Sequence, residues 1–328
     1  MERRILGRTG LEVSVLGMGG LFVSKVGGRG REEACRAIHR ALELGVNYVD
    51  TAPGYADSEE VLGIALEGVP QSSYVISTKL GGRPQPFEPK NKDALKWSIE
   101  GSLRFLKRDY IDILMIHEPD RPGQYDWWSD YDNFHGPVSE FLEELKEQKI
   151  IRFTGLGGTT AYQLPHIMAT SNYDVVLTAF NYSLLWREAT IAVLPEAKRQ
   201  NMGVIIGSPL QQGALARRYP EVETGAWWLS PPRQEQYRQL YALLDEIKLP
   251  LPELALRFVL SNPDISTTLM GARSVEEVEQ NVKSVEKGPL PEDVLARLQE
   301  IADMVPFHPF EEPFGLPFGR KYRGPGQA

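Results

Sequence analysis

VNYVDTAPGY (46–55), YVISTKL (74–80) and YIDILMIHEP (110–119) are three successive apolar runs, and each closes on polar side chains. Asp50, Lys79 and His117 stand at the ends of the runs, and Tyr55 follows in the loop after Asp50. Short runs rich in β-branched residues and apolar throughout predict strands buried on both faces. Polar groups gathered at the C-terminal ends of such strands are where an α/β barrel carries its chemistry. Singly they say little, because a strand-end Asp often caps the next helix and a His after an apolar run is often a hydrogen-bonded core residue. The four together predict a site that moves protons.

The same alternation runs outward in both directions. VSVLGMG (13–19) precedes the helical period of REEACRAIHRALELG (31–45), and the three quoted runs precede SEEVLGIALEG (58–68), KDALKWSIEGSLRFLK (92–107) and PVSEFLEELKEQK (137–149). IRFTGLG, DVVLTAFN, MGVIIGS and ISTTLMG continue the series, with helix-like stretches between them. Eight strand–helix units predict an α/β fold of the TIM type, a (β/α)8 barrel. An open doubly wound sheet is the competing fold, but VLGMGGLFVSKVGG (15–28) lacks the G-x-G-x-x-G spacing that such a sheet uses after its first strand.

Outside the repeat, RRILGRTGLEV (3–13) predicts a hairpin turning at Thr9-Gly10 and plugging the barrel floor. Long loops follow the fourth strand (118–136) and the seventh (210–232), and each holds a tryptophan pair. Trp127, Trp128, Trp227 and Trp228 are therefore candidates for a substrate pocket, with loop cementing as the plainer role. The barrel is expected to occupy 1–305. The Pro- and Phe-rich tail 306–328 is expected to pack on the barrel or a partner through Phe307, Phe310, Phe314 and Phe318.

With 36 basic and 44 acidic residues, a net charge of -8 and no basic block, the chain offers no footprint for nucleic acid or an anionic membrane. No stretch approaches the roughly 18 apolar residues of a membrane span, and MERRILGRTG is no signal peptide. The lone Cys35 permits no internal disulfide, which suits a reducing cytoplasm. His39, His135, His166 and His308 have no partner spacing, and no metal site is expected. Asp112 lies near the start of its strand, at the opposite end from His117, and predicts a capping or an inter-strand hydrogen bond.

Ionising a tyrosine of reference pKa near 10 at pH 7 costs about 4 kcal/mol. A neighbouring ammonium lowers that cost, so Lys79 is the expected aid to Tyr55, and Asp50 the counter-charge that makes a buried Lys79 tolerable. His117 can direct a ring nitrogen at the oxygen that Tyr55 protonates. Such a site acts on a carbonyl or alcohol oxygen, and reduction there requires a hydride donor.

GRTGLEVSVLGMGG (7–20), ELGVNYVDTAPGYADSEEVLG (43–63), VISTKL (75–80), LKRDYIDILMIHEPD (106–120), GSPLQQGAL (207–215) and GARSVEEVEQNV (271–282) together resemble the aldo-keto reductase superfamily. The resemblance implies a barrel binding an extended nicotinamide cofactor, with Asp50, Tyr55, Lys79 and His117 as its catalytic tetrad and Tyr55 as general acid or base. It implies cofactor contacts from Gly157 and Gly158, from Gly207, Ser208, Pro209, Leu210 and Gln212, and from Gly271, Ala272, Arg273, Ser274, Glu277, Gln280 and Asn281. Arg273 suits a 2′-phosphate, so NADP(H) is expected, with NAD(H) the alternative because Glu277 stands where the family usually has a neutral or basic residue. Gly157-Gly158 replaces the usual Ser-Asn, Leu177-Thr178 replaces a Gln position, and Gly207 replaces an aromatic ring. DVVLTAFNYSLL and ISTTLMGARSVEEVEQN are similar to the aldose 1-dehydrogenase branch, implying a small carbonyl or sugar substrate. A cofactor-binding regulatory subunit similar to potassium-channel beta subunits is the second reading, and a homo-oligomer stays open.

Overall fold

Strands that are apolar on both faces need cover on both, and this chain supplies it by closing its sheet into a ring and wrapping the ring in helices. The computed structural model describes residues 1–170, 173–308 and 316–323. Eight parallel strands form the closed barrel: β3 (Leu16–Gly19), β4 (Tyr48–Asp50), β5 (Val75–Leu80), β6 (Ile111–His117), β7 (Ile151–Gly158), β8 (Val175–Ala179), β9 (Gly203–Gly207) and β10 (Thr267–Met270), with β10 pairing back to β3. The expected barrel is therefore present, strand for strand. Its outer layer includes α1 (Arg31–Glu43), α2 (Ser58–Ala65), α3 (Lys92–Leu106), α4 (Pro137–Glu147), α5 (Leu164–Thr170) and α6 (Val193–Gln200). It continues with the short α7 (Glu221–Thr224), then α8 (Pro231–Ile247), α9 (Leu251–Leu260), α10 (Val275–Val285) and α11 (Glu292–Asp303).

The N-terminal hairpin pairs β1 (Arg3–Ile5) with β2 (Glu12–Ser14), joined by the turn that holds Thr9 and Gly10. Leu6 and Val13 are fully buried among Tyr48, Ile113, Val175 and Ile205 from the barrel strands, so the hairpin does plug the floor. The opposite rim is thereby left to carry chemistry. Asp112 donates nothing to that rim, since it accepts from the Ile76 amide (3.0 Å) and the Arg152 guanidinium (2.8 Å) near the strand starts.

Parallel pairing sets which side chains meet at the rim. Asp50 lies opposite Ser77, Lys79 opposite Met115, and His117 opposite Gly157. The loop after β6 spans 118–136 as expected, whereas the loop after β9 spans 208–230, starting and ending slightly earlier than the sequence suggests and enclosing α7. Helix α11 lies beyond the eight units and was not foreseen; the Gln236 amide of α8 ties it down by donating to Ile301 O (2.9 Å) and Ala302 O (3.2 Å).

Of the tail anchors, Phe318 is buried and stacks on Tyr219 of the β9 loop at 4.7 Å between centroids, while Phe310 and Phe314 lie outside the described residues. Phe307 is 62% exposed and is no anchor. Pro306 precedes it, and its backbone lies beyond the end of α11, outside any helix.

Helix α2 approaches α3 so closely that a Cβ on Gly63 would stand 1.9 Å from the Phe105 carbonyl oxygen. Replacement by Ala must push the two backbones apart, and overpacking of this kind costs about 1–3 kcal/mol. Gly63→Ala is expected to lower the unfolding free energy by that amount, read as a lower denaturant midpoint, and an unchanged midpoint would show the helices to be less tightly packed than described.

Candidate active site

Residues of β4 and β5 build the base of the site. The Lys79 ammonium donates to both carboxylate oxygens of Asp50 (2.9 and 2.7 Å) and to the Thr51 carbonyl (2.9 Å). All three of its donors are thus satisfied, with the Lys79 and Asp50 side chains only 1% and 2% exposed. Asp50 is held in turn by the Ser77 hydroxyl (2.7 Å), which accepts from the Tyr48 phenol (2.9 Å). A buried ion pair is tolerable when its remaining lone pairs and protons are matched in this way. Burial alone would strip the Lys79 proton, but the Asp50 charge and hydrogen bonds reverse this and hold its pKa above the ordinary lysine value.

Tyr55 enters from the loop after β4, half-buried, with the Lys79 ammonium 4.9 Å from its ring centroid. Burial raises its pKa, and the Lys79 cation pulls it back without fully offsetting the rise. The expected help from Lys79 is therefore real but outweighed, and Tyr55 rests as a phenol that can donate. His117 meets Tyr55 edge-on, 5.8 Å between centroids. Burial first, and then the Lys79 charge, push the imidazole down to about 3, so it is neutral at any ordinary pH. Its Nδ1 is buried without a hydrogen-bond partner among the described residues. The structure thus brings all four predicted side chains to one point, where a proton can be passed to an oxygen while a neutral imidazole binds it.

The loop after β6 is fastened by its tryptophans. Trp127 donates its indole N–H to the His117 carbonyl and Trp128 to the Pro119 carbonyl, both at 2.9 Å, and both rings are 1% exposed or less. This corrects the expectation of substrate-facing rings, because a fully desolvated indole has no open face. In the other loop Trp228 packs edge-on against Phe318 (5.3 Å), whereas Trp227, 83% exposed, meets Tyr322 of the tail edge-on (4.9 Å). The aromatic wall beside the tetrad is instead Tyr125, 6.1 Å from His117, with Phe87 and Trp127 behind it at 5.6 Å each. Sequence reading missed Tyr125, as it did Glu118 and Thr159, although IHEPD holds an acid directly beside the histidine.

The remaining candidates line the same rim. Gly157 and Gly158 end β7, and a Cβ on Gly157 would stand 3.3 Å from Lys79 Cε, so a side chain there would press on the ammonium stem. Where a Gly158 side chain would start, the Asp120 carboxylate lies 2.9 Å away, bonded to the Thr159 amide (2.9 Å) and Thr160 hydroxyl (2.8 Å). Thr178 of β8 accepts from Asn181 Nδ2 (2.9 Å), while Leu177 is buried. After β9, Gly207, Ser208, Pro209, Leu210 and Gln212 form a turn with left-handed backbone at Ser208, Gln211 and Gln212. Successive amides in such a turn make a concavity suited to anions.

Gly271 and Ala272 leave β10, Ser274 caps α10, and Asn281 reaches back to Met270 Sδ at 3.8 Å. Gln280 is exposed. Arg273 is engaged by Glu277, which accepts from its guanidinium (2.6 and 3.1 Å) and its amide (2.8 Å). Glu33 of α1 accepts from the Val275 amide in the first turn of α10 (3.0 Å). A polar hollow lined by Arg3, Asn47, Tyr74 and Arg152 opens at the hairpin end, far from the tetrad, and takes no part in this site.

Residues 15–303 match the aldo/keto reductase family. The chain belongs to that family. L-galactose dehydrogenase of Arabidopsis thaliana is 31% identical over 87% of this chain and 88% of its own length. A putative voltage-gated potassium channel subunit beta of Schizosaccharomyces pombe is 29% identical over 92% and 94%. The solved aldo-keto reductase AKR11C1 of Bacillus halodurans, 29% identical, superposes over 92% of this chain and 96% of that one with a TM-score of 0.74 in its holo form and 0.69 in its apo form. The protein is an enzyme of a family that works with nicotinamide cofactors. Its rim fits such a dinucleotide: the left-handed turn after β9 and the capped N-terminus of α10 adjoin on neighbouring strands, and the orphaned His117 Nδ1 and bare Gly157 lie further round.

Breaking one side of the buried pair should cost more than removing both. Asp50→Asn leaves an unpaired ammonium and is expected to destabilise by about 3–5 kcal/mol, with Asp50→Asn combined with Lys79→Met recovering much of it. Strictly additive losses in denaturant unfolding would mean that the pair is not coupled.

Proposed function

We propose that the protein is an oxidoreductase that interconverts a small carbonyl compound and its alcohol, with Tyr55 as the proton donor in reduction and acceptor in oxidation. The observation that carries this reading is the convergence of Tyr55, Lys79, Asp50 and His117 on one point of the barrel mouth. Nicotinamide, when bound, supplies or takes the hydride. The chain's own residues do the rest. The phenol of Tyr55 hands its proton to the developing alkoxide, and the Lys79 ammonium stabilises the phenolate that remains. Asp50 keeps that ammonium charged and fixed. His117 binds the substrate oxygen as a neutral donor or acceptor and does not compete with Tyr55 as an acid, because a pKa of about 3 leaves it uncharged, with no imidazolium proton to give. An intact tetrad of this kind favours an enzyme over a regulatory subunit that merely senses the cofactor.

The cofactor preference we propose is NAD(H), which reverses the initial weight on NADP(H). Arg273, the residue suited to a 2′-phosphate, directs its Nε, Nη2 and backbone amide to Glu277, and Glu33 occupies an amide at the start of the same helix. Burial works against the Glu277 charge, yet its bonds to Arg273 hold its pKa below the usual glutamate value, so it stays anionic. A dianionic phosphate would meet two carboxylates there, whereas a ribose hydroxyl can donate to one.

Tyr55→Phe is expected to cut turnover on the order of 10²–10⁴-fold, the usual worth of a positioned acid–base group, while nucleotide titration of tryptophan fluorescence stays as in the parent protein. Undiminished turnover would remove Tyr55 from the mechanism. In the same titration Glu277→Gln, which frees Arg273, is expected to shift the NADPH-to-NADH affinity ratio by about tenfold toward NADPH, as one charge-assisted contact would. A parent protein that already binds NADPH more tightly would overturn the NAD(H) preference.

A further inference from the structure

Glu118 follows His117 at the barrel mouth, and the proton chemistry described above makes no use of it. Its backbone is left-handed (φ 50°), a conformation that a non-glycine residue adopts only where its surroundings impose it. Here the Glu118 amide donates to the Gly157 carbonyl (2.7 Å), extending the β6–β7 ladder by one bond and turning the side chain into the rim. The Thr159 hydroxyl, from the loop after β7, donates to Oε2 at 2.6 Å. Among the described residues no other donor bonds this carboxyl, and no cation forms an ion pair with it. One oxygen is therefore pinned and the other is free to accept. The Thr159 bond holds the carboxyl at the C-terminal rim, where β6 and β7 end side by side next to His117, and its charge adds, after burial, to the raised pKa values of Tyr55 and Tyr125.

In the same loop the Tyr125 ring stands 6.1 Å from His117 and beside the chain leaving β5, close enough that a Cβ on Gly81 would approach it to 3.3 Å, so the bare glycine leaves the ring its place. A half-exposed acceptor and an aromatic wall at the same rim match a molecule with hydroxyls at its edge and C–H groups on its face. An aldehyde without hydroxyls would leave the carboxyl desolvated and unpartnered, which weakens its binding.

We propose that Glu118 is a specificity-determining residue that accepts a hydrogen bond from a substrate hydroxyl beside the reacting carbon, and so selects polyhydroxylated carbonyl compounds, the aldoses, over apolar aldehydes. This rests on the oxidoreductase reading and names its substrate class. Burial pushes the Glu118 carboxyl up to about 7. Its ionised form, the better acceptor, gains population as pH rises through about 7, so aldose binding strengthens in that direction.

The test compares Glu118→Gln and Glu118→Ala with the parent protein on two substrates: a panel of aldoses oxidised with NAD+, and 4-nitrobenzaldehyde reduced with NADH. Aldose binding to the NADH-loaded protein is also read directly from indole fluorescence, so that the measurement survives a failure of turnover. The expected result is an aldose-to-nitrobenzaldehyde ratio of kcat/KM that falls at least tenfold in Glu118→Ala and less in Glu118→Gln, carried by KM. The parent KM for aldose should fall as pH rises from 6 to 8, a dependence lost in Glu118→Gln. Equal losses on both substrates, or no aldose binding by a parent protein that reduces nitrobenzaldehyde, would overturn the proposal while leaving the oxidoreductase reading intact. A parent protein that binds aldose but turns over neither substrate would sink that reading instead, and the fluorescence titration would still decide the role of Glu118.

Discussion

The Lys79–Asp50 pair is the constraint on which the rest of the site depends. Removing two charges from water is costly, and the cost is met here only because each proton and lone pair finds a partner: Thr51 and Asp50 for the ammonium, Ser77 and then Tyr48 for the carboxylate. Those partners come from two neighbouring strands in parallel register, with Asp50 opposite Ser77. A shift of one residue would turn every one of these side chains to the other face of the sheet. The ion pair therefore requires the barrel to close in one register, and the barrel in turn holds the ammonium beneath the phenol. Gly157 belongs to the same requirement, since the stem of Lys79 fills the space its side chain would take.

Strand order divides the mouth. In a ring running β10-β3-β4-β5-β6-β7-β8-β9, strands β5 and β9 are diametrically opposed. The proton-handling side chains sit on β4, β5 and β6, while the left-handed turn and the α10 N-terminus follow β9 and β10. A nicotinamide cofactor held by the second group would have to cross the mouth to bring its hydride chemistry to the first. The floor is sealed by Leu6 and Val13, so access is from above. The two long loops rise on this open side, and each is secured by burying aromatic surface: Trp127 and Trp128 under the β6 loop, Trp228 and Phe318 beside the β9 loop.

Sequence periodicity carried the strands because both faces are apolar, and the tetrad was legible because Asp50, Lys79 and His117 interrupt apolar runs at their ends. The two tryptophan pairs show where such reading stops. They give the same local signal, an indole doublet in a long loop, yet one pair is buried and Trp227 is 83% exposed. What separates them is tertiary: the His117 and Pro119 carbonyls happen to face Trp127 and Trp128, and no local pattern encodes that. Helix α11 was missed for the opposite reason, since its pattern is ordinary but falls outside the repeat that organised the reading. Glu118 drew no reading from the sequence, and only the left-handed backbone and the bond from the Thr159 hydroxyl mark it out at the rim. The balance at Arg273 was visible as a question, because Glu277 lies one helical turn away, and the structure supplies the contact.

The mouth also separates chemistry from selection by charge state. Lys79 is held as a cation, Tyr55 as a phenol and His117 as a neutral imidazole, each displaced from neutrality in the direction that keeps its state fixed. Burial is the first cause for Tyr55 and His117, and Asp50 holds Lys79 against it, while the same ammonium that steadies a phenolate adds to the cost of an imidazolium. Glu118 lies at the edge of that field, where Lys79 is only a weak influence and burial dominates, and it is pushed to about 7. Its proton is thus free to come and go near neutrality while the tetrad holds still. A site arranged this way can tune how tightly it holds a hydroxylated substrate without altering the group that delivers the proton, because the two tasks rest on carboxyls at different depths: Asp50 sealed beneath the ammonium, and Glu118 open to whatever enters.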